Sequence, residues 1–162
     1  GVLGFAINLP IVNYFQHGSY LTVNHGHAAL FGVYGNLAIA AMLFCGRWML
    51  RPEAWKPRML RFAFWSLNLG LLLMVVLDLF PAGVHQLVAI LENGYAYGRS
   101  SAYLESETFQ TLTWLRGIGV VVFVTGGVIP IVGFVVGSAR FLKPVASAED
   151  SLAVPATALA LV

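Results

Sequence analysis

The stretch AALFGVYGNLAIAAMLFC, residues 28–45, contains no charged side chain and decides the class of this fold. An α-helix rises about 1.5 Å per residue, so a run of this length nearly crosses the roughly 30 Å hydrocarbon core of a bilayer. The whole chain has the same character, because 59% of its 162 residues are hydrophobic and only 10% are charged. Soluble domains average roughly 25% charged residues. We therefore predict an all-α, polytopic bundle of transmembrane helices.

Two further apolar segments complete the predicted bundle. Helices are predicted over residues 19–47, 59–92 (kinked at Pro81) and 111–141. The connection at residues 46–61 carries five basic residues and one acidic residue, Glu53, which places it on the cytoplasmic side by the positive-inside rule. The connection at residues 93–110 contains Glu105 and Glu107 and is predicted to lie on the outer face.

The two ends of the chain have a different character from the three predicted spans. Residues 1–9 are apolar but too short to span, and Pro10 would break a helix; residues 13–18 are polar and aromatic, and we predict a surface loop there. The chain thus begins like the end of a preceding core helix. We expect residues 1–143 to be the C-terminal transmembrane part of a larger catalytic domain and residues 144–162 to be a cytoplasmic tail.

Two histidines, His25 and His27, lie near the outer end of the first predicted span. Successive helical residues are about 100° apart, so these two side chains point to nearly opposite faces. One metal ion cannot take both, whereas two acceptors that flank the helix could each take one. Neutral imidazole is a common axial ligand of haem iron, and this geometry suggests a helix between two haems. The alternative for each histidine is a local hydrogen bond.

Four other side chains allow more than one interpretation. His17 either contacts a haem propionate or is an exposed loop residue. Asp78, in an apolar run, is either a proton carrier, a partner of Arg or His, or a brace at the kink. His85 follows Asp78 about two helical turns later and is open to the same alternatives. A structural role is favoured for Asp78 and for His85. Arg116 either pairs with a propionate or extends to the membrane surface.

Several classes of chemistry lack any signal. The sequence contains no phosphate-binding glycine loop, CxxC, CxxCH, HExxH or nucleophile motif, so phosphoryl transfer, hydrolysis and covalently attached haem are unsupported. The single cysteine, Cys45, is interpreted as a small apolar side chain. The net charge of +2 gives no reason to expect nucleic acid, because topology explains the basic loop.

Three segments near the start of the chain closely resemble the tenth core helix of bacterial nitric oxide reductases, which belong to the haem-copper oxidase superfamily. They are LPIVNY at residues 9–14, HGSYLT at 17–22 and NHGHAALFGVYG at 24–35. The match is best to the single-subunit, quinol-dependent type. The segments NLGL at 68–71 and LFP at 79–81 resemble the eleventh core helix, and WLR at 114–116 resembles the start of the twelfth. The resemblance covers about residues 1–140.

The resemblance implies specific cofactor roles. His25 would be the proximal ligand of the high-spin haem b, and His27 would be one of two axial ligands of the low-spin haem b. His17 would lie beside the propionates of the high-spin haem. The histidine and glutamate ligands of the non-haem iron belong to helices that precede this segment in the family.

The resemblance also implies an activity and partners. Quinol would supply electrons for the reduction of two NO to N2O and water at a haem b and non-haem iron centre in the bacterial inner membrane, with a cytoplasmic C-terminus. Expected partners are the N-terminal remainder of the enzyme, the lipid bilayer and, as an open question, a second copy. Alternatives are a cytochrome c-dependent nitric oxide reductase, an oxygen reductase of the same superfamily, and a haem-free transporter or structural membrane protein.

Overall fold

A computed structural model describes residues 2–143 of the chain, and all described secondary structure is helical apart from one isolated backbone bridge. The short helices are α1 (Val2–Asn8), α2 (Pro10–Gln16) and α5 (Ser101–Leu104). The long helices are α3 (Tyr20–Met49), α4 (Pro57–Asn93) and α6 (Glu107–Phe141). Each long helix is long and apolar enough to cross a membrane, which confirms the predicted all-α transmembrane class.

The helix ends follow from local chemistry. Pro10, Pro57 and Pro52 each open a helical segment, where the missing N–H of proline costs nothing. Helix α4 ends at Asn93 and is followed by Gly94, which has φ 88°, a conformation that glycine adopts without strain. The predicted loop at residues 13–18 is wrong in its first part, because helix α2 continues to Gln16.

Helix α4 is not interrupted at Pro81. Its helical residues continue to Asn93, and the segment Val75–Leu79, which is separated from the proline by Phe80 alone, is π-helical. Proline removes one backbone donor from the helical ladder and crowds the preceding turn, and a wider turn accommodates both effects. Helices α3 and α6 contain similar π-helical segments at His27–Gly35 and Val122–Val128.

Helix α4 is the centre of the bundle. In the most apolar 18-residue stretch of each long helix, 44% of the residues are buried in α4, 17% in α6 and none in α3. Glycines bring α4 and α6 together: a Cβ atom on Gly70 would lie 2.8 Å from the Gly119 carbonyl oxygen, and one on Gly119 would lie 2.7 Å from that of Gly70. Such backbone contact is typical of membrane helices, which associate through small residues. Helix α3 joins α4 through the Asn36–Asn68 side-chain hydrogen bond of 3.2 Å.

The bundle has two chemically different ends. At the end called here the histidine end, the start of α3 packs beside the C-terminal half of α4 and the start of α6 through Tyr20, Tyr103 and Phe109. At the other end, the basic end, an antiparallel bridge joins Leu50 to Leu142. The predicted tail, residues 144–162, lies outside the described residues.

Candidate functional site

His27 is held by its own helix. Its ring Nδ1 lies 2.9 Å from the carbonyl oxygen of Val23. A carbonyl only accepts hydrogen bonds, so this contact requires the tautomer with the proton on Nδ1. The lone pair is then on Nε2, at the outer edge of the ring. This is the local hydrogen bond that the sequence left open as an alternative, and it also leaves Nε2 free, as in histidines that ligate a metal while their other ring nitrogen donates to a carbonyl.

His25 has a different environment, on the side of α3 that meets helix α1. A Cβ atom on Gly4 would lie 2.9 Å from His25 Cε1 and 3.2 Å from Nε2, so the backbone of α1 borders this imidazole. The backbone between the two histidines is α-helical, with φ −56° and ψ −49° at Gly26. The two rings therefore leave α3 in opposed directions, as the spacing predicts.

His17 lies at the turn between α2 and α3. Its carbonyl oxygen accepts hydrogen bonds from the guanidinium of Arg99 and from the Tyr95 hydroxyl at 2.9 Å. Arg99 also stacks on the Tyr95 ring, with its Cζ 4.0 Å from the ring centroid. The next residue, Gly18, has φ 67°, which lets the chain reverse towards α3. The His17 residue itself is exposed.

Gln86 fixes the start of α3 against α4. Its Oε1 accepts a hydrogen bond from the Tyr20 backbone N–H at 2.8 Å, and its Nε2 donates to the Gly98 carbonyl at 2.8 Å. The first N–H groups of a helix have no partner within it, so this buried amide caps α3 from a neighbouring element. The position of the two histidines thus depends on a residue roughly sixty positions away in the chain.

Asp78 and Arg116 form a salt bridge beside the same end of α3. Arg116 Nε lies 2.5 Å from Asp78 Oδ2; the Asp78 side chain is completely buried, whereas 30% of the Arg116 side chain is exposed. The Arg116 Cζ also lies 5.6 Å from the centroid of the Tyr20 ring. Of the alternatives left open by the sequence, the structure shows Asp78 as a partner of arginine.

His85 makes a hydrogen bond of 2.7 Å through Nδ1 to the Tyr103 hydroxyl, and the two rings are stacked. Burial, and to a lesser extent the neighbouring Tyr97, raises the pKa of Tyr103 to about 12. Tyr103 therefore stays protonated well above neutral pH. The pair tethers the connection between α4 and α6 to α4, which is a structural role.

Buried polar atoms without a hydrogen-bond partner among residues 2–143 concentrate at the histidine end. They are Gln16 Nε2, Ser19 Oγ, Asn24 Oδ1 and Asp78 Oδ1. Buried polar groups in proteins nearly always have partners, and the side chains of residues 2–143 leave these four atoms without one. Within the same described residues, no three His, Cys, Asp or Glu side chains form a group able to hold a metal ion.

Comparison with known proteins identifies the family. Residues 1–122 match the family described as "Cytochrome C and Quinol oxidase polypeptide I". The chain belongs to this family of haem-copper oxidases. It is also 33% identical over 132 residues to a nitric oxide reductase subunit from Stutzerimonas stutzeri, an alignment that covers 78% of the chain. The predicted superfamily and the likeness to nitric oxide reductases are thereby confirmed.

The chain corresponds to 27% of the length of that relative. The activity, substrates and partners of a whole nitric oxide reductase are therefore proposals for this chain. The quinol-dependent type, the C-terminal placement and the roles of His17, His25 and His27 remain predictions.

The haem-copper oxidase family implies haem, and the two histidines fit it unequally. His27 fits as it stands, because its Nδ1 is bonded to Val23 and its Nε2 is the free ligand atom. His25 does not fit in its present position, because the backbone at Gly4 borders its Nε2 edge and leaves no room for a porphyrin there. Haem ligation by His25 requires helix α1 to lie farther from α3, or the ring to rotate.

Sequence reasoning missed three residues that position the site. Gln86 was recognisable as an amide within an apolar span, because polar side chains at membrane depth usually have a partner. Tyr103 and Arg99 gave no such signal, because aromatic and basic residues are common in interfacial connections. Only the fold brings Arg99 to the carbonyl of His17.

Proposed function

We propose that this chain is the haem-binding C-terminal part of a quinol-dependent nitric oxide reductase. The observation that carries the proposal is the pair His25 and His27 on opposed faces of α3, with the tautomer of His27 set by the Val23 carbonyl. Membership of the haem-copper oxidase family and similarity to a nitric oxide reductase support it. The reaction would combine two NO, two electrons and two protons into N2O and water.

The residues of this chain would bind and orient rather than react. His27 would ligate the low-spin haem through Nε2. His25 would ligate the high-spin haem once helix α1 lies farther from α3 or the ring rotates, and α3 would then connect the two groups. Bound haem supplies an iron atom that changes oxidation state. Gln86, by capping α3, would hold this spacing constant.

The exposure of α3 supports the same proposal. None of its most apolar window is buried by the rest of the described chain, and a Cβ atom on Gly26, between the two histidines, would meet no atom within 4 Å. The surface of α3 at Gly26 is therefore open to a large planar group, whereas the His25 side gains such room only if helix α1 lies farther from α3 or the His25 ring rotates. The ligands of the non-haem iron and any further ligand of the low-spin haem would come from the remainder of the enzyme.

Haem content of the complete enzyme tests the proposal. We expect His27→Ala to remove the low-spin haem spectrum and His25→Ala to remove the high-spin spectrum, with about one haem lost in each variant. Pyridine haemochrome analysis and optical spectra of the purified enzyme measure this loss. His85→Ala is the matched control, because that membrane histidine bonds to Tyr103 and should leave both haems in place. Full haem content in the His27 variant would overturn the assignment.

A different electron donor is the second candidate. The relative from Stutzerimonas stutzeri is named as a subunit, which favours a multi-chain enzyme fed by a partner protein such as a cytochrome c. Turnover of the purified enzyme with a soluble quinol, compared with reduced cytochrome c, separates the two donors. Activity with quinol alone supports the first candidate, and activity with cytochrome c alone supports the second.

A further inference from the structure

At the basic end, backbone pairing brings two distant parts of the chain together. The Arg51 N–H donates to the Phe141 carbonyl at 3.0 Å, and the Lys143 N–H donates to the Met49 carbonyl at 2.9 Å. These bonds flank the bridge between Leu50 and Leu142. They fix the end of α6 against the end of α3, although nearly a hundred residues separate the two segments.

The pairing builds a pocket with two cations in its wall. The Arg47–Lys143 pocket, as we call it, has a volume of about 390 Å³ and is lined by Arg47, Trp48, Leu50, Pro52 and Lys143. Its lining contains no acidic side chain. Glu53, the one acidic residue among residues 47–61, lines a separate cavity with Lys56 and Arg140. The pocket therefore favours a ligand with negative charge.

Apolar and charged side chains are neighbours at this pocket, as the apolar and charged parts of an amphiphilic molecule are. Phe44 lies about one helical turn from Arg47 and Trp48, towards the middle of the membrane span, while Arg47 and Trp48 are adjacent at the end of the helix; Phe44 and Trp48 are 67% and 70% exposed. The Arg47 guanidinium is kept at this level by the Trp55 ring, whose centroid lies 5.2 Å from its Cζ. Exposed aromatic side chains next to a pocket that two cations line, at the end of a membrane span, match the acyl chains and the charged headgroup of a lipid.

We propose that the Arg47–Lys143 pocket binds the phosphate headgroup of an anionic phospholipid, with its acyl chains along Phe44 and Trp48. The two cations would share the phosphodiester, and the apolar side chains would distinguish a lipid from a free anion. The proposal rests on the membrane location of the helices and is independent of the chemistry proposed for the histidines. It would hold equally for an enzyme with another electron donor.

Lipid retention by the complete enzyme tests the proposal. The enzyme is reconstituted in nanodiscs of equal parts phosphatidylglycerol and phosphatidylcholine, and native mass spectrometry then measures the lipids that stay bound. We expect the wild type to retain phosphatidylglycerol preferentially. Arg47→Gln with Lys143→Gln should lower that preference by about thirtyfold, the effect expected for two cations at a membrane surface.

Two control variants make the result specific. Arg58→Gln with Arg61→Gln removes the same charge from exposed positions outside the pocket lining and should change the preference by less than about twofold, since charges outside the pocket act only through the screened surface potential. Arg47→Lys with Lys143→Arg keeps both charges and should retain the lipid. Equal losses in both glutamine variants, or no preference in the wild type, would overturn the proposal. Displacement of the lipid by inorganic phosphate would show a site for free anions instead.

Discussion

The two partners of the Asp78–Arg116 ion pair differ in burial, so the loss of one costs more than the loss of the other. The carboxylate is completely buried, while 30% of the guanidinium side chain remains exposed. If Asp78 loses its charge, Arg116 can still turn towards water or the interface. If Arg116 is lost, a carboxylate remains enclosed without a partner, which is the more costly state.

We therefore expect Arg116→Met to destabilise the complete enzyme by about 3 kcal/mol and Asp78→Asn by roughly half as much. The midpoint of thermal unfolding of the purified enzyme measures both effects. The double variant should be more stable than Arg116→Met alone, because no buried charge is left unpaired. Strictly additive losses would show that the two side chains act independently.

At the scale of single residues, the sequence predicts what a side chain can do chemically better than it predicts which other residue that side chain contacts. The spacing of His25 and His27 predicts opposed directions, because helical geometry is local, and the backbone at Gly26 is α-helical. The hydrogen bond from His27 to Val23 is also local. By contrast, the partner of Asp78 lies 38 residues away, and the sequence leaves proton carrier, ion pair and brace as alternatives.

At the scale of elements, the contact between α4 and α6 depends on two glycines. A Cβ atom on Gly119 would lie 2.7 Å from both the Gly70 carbonyl oxygen and the Met74 backbone nitrogen. Both atoms belong to the backbone of the central helix, so neither can rotate away. A side chain at this position must separate the helices.

Gly119→Ala should destabilise the enzyme by about 1–3 kcal/mol through overpacking. Gly117→Ala is the matched control on the same helix, because a Cβ atom there meets nothing within 4 Å. It should be neutral or slightly stabilising, since alanine is the better helix former. Thermal unfolding of both variants measures the difference, and equal midpoints would mean that α4 and α6 are not in backbone contact.

Sequence patterns predict the long helices but not the short or irregular helical segments. The three long helices are predictable because a bilayer requires long apolar runs, and the structure has them. The π-helical turn before Pro81 is not predicted by the sequence, and neither is helix α2. Short and irregular helical segments depend on neighbours, and no periodic pattern marks them.

At the scale of the whole molecule, the two ends differ in charge as well as in structure. The basic end holds Arg47, Arg51 and Lys143, whereas the connection at the histidine end contains Glu105 and Glu107. The positive-inside rule predicts that the basic end lies in the cytoplasm. The histidines would then lie towards the outer face of the membrane.

Cysteine labelling tests this orientation in the complete enzyme. Glu53→Cys and Glu105→Cys are made in a parent that carries Cys45→Ser and has no other reactive thiol. A membrane-impermeant maleimide should label the Glu105→Cys variant from outside intact cells and the Glu53→Cys variant only in inverted membrane vesicles. The unlabelled parent is the control, and the reverse pattern would invert the proposed topology.

The sequence by itself determined the membrane class, the number of long helices and the opposed directions of His25 and His27. Each of these depends on local composition or helical geometry, which neighbouring residues along the chain control. The tertiary structure alone decided that Arg116 pairs with Asp78, that Gln86 caps α3, that α1 borders His25, and that Arg47 and Lys143 share a pocket. These contacts join residues far apart in the chain, and only the packing of whole helices brings them within bonding distance.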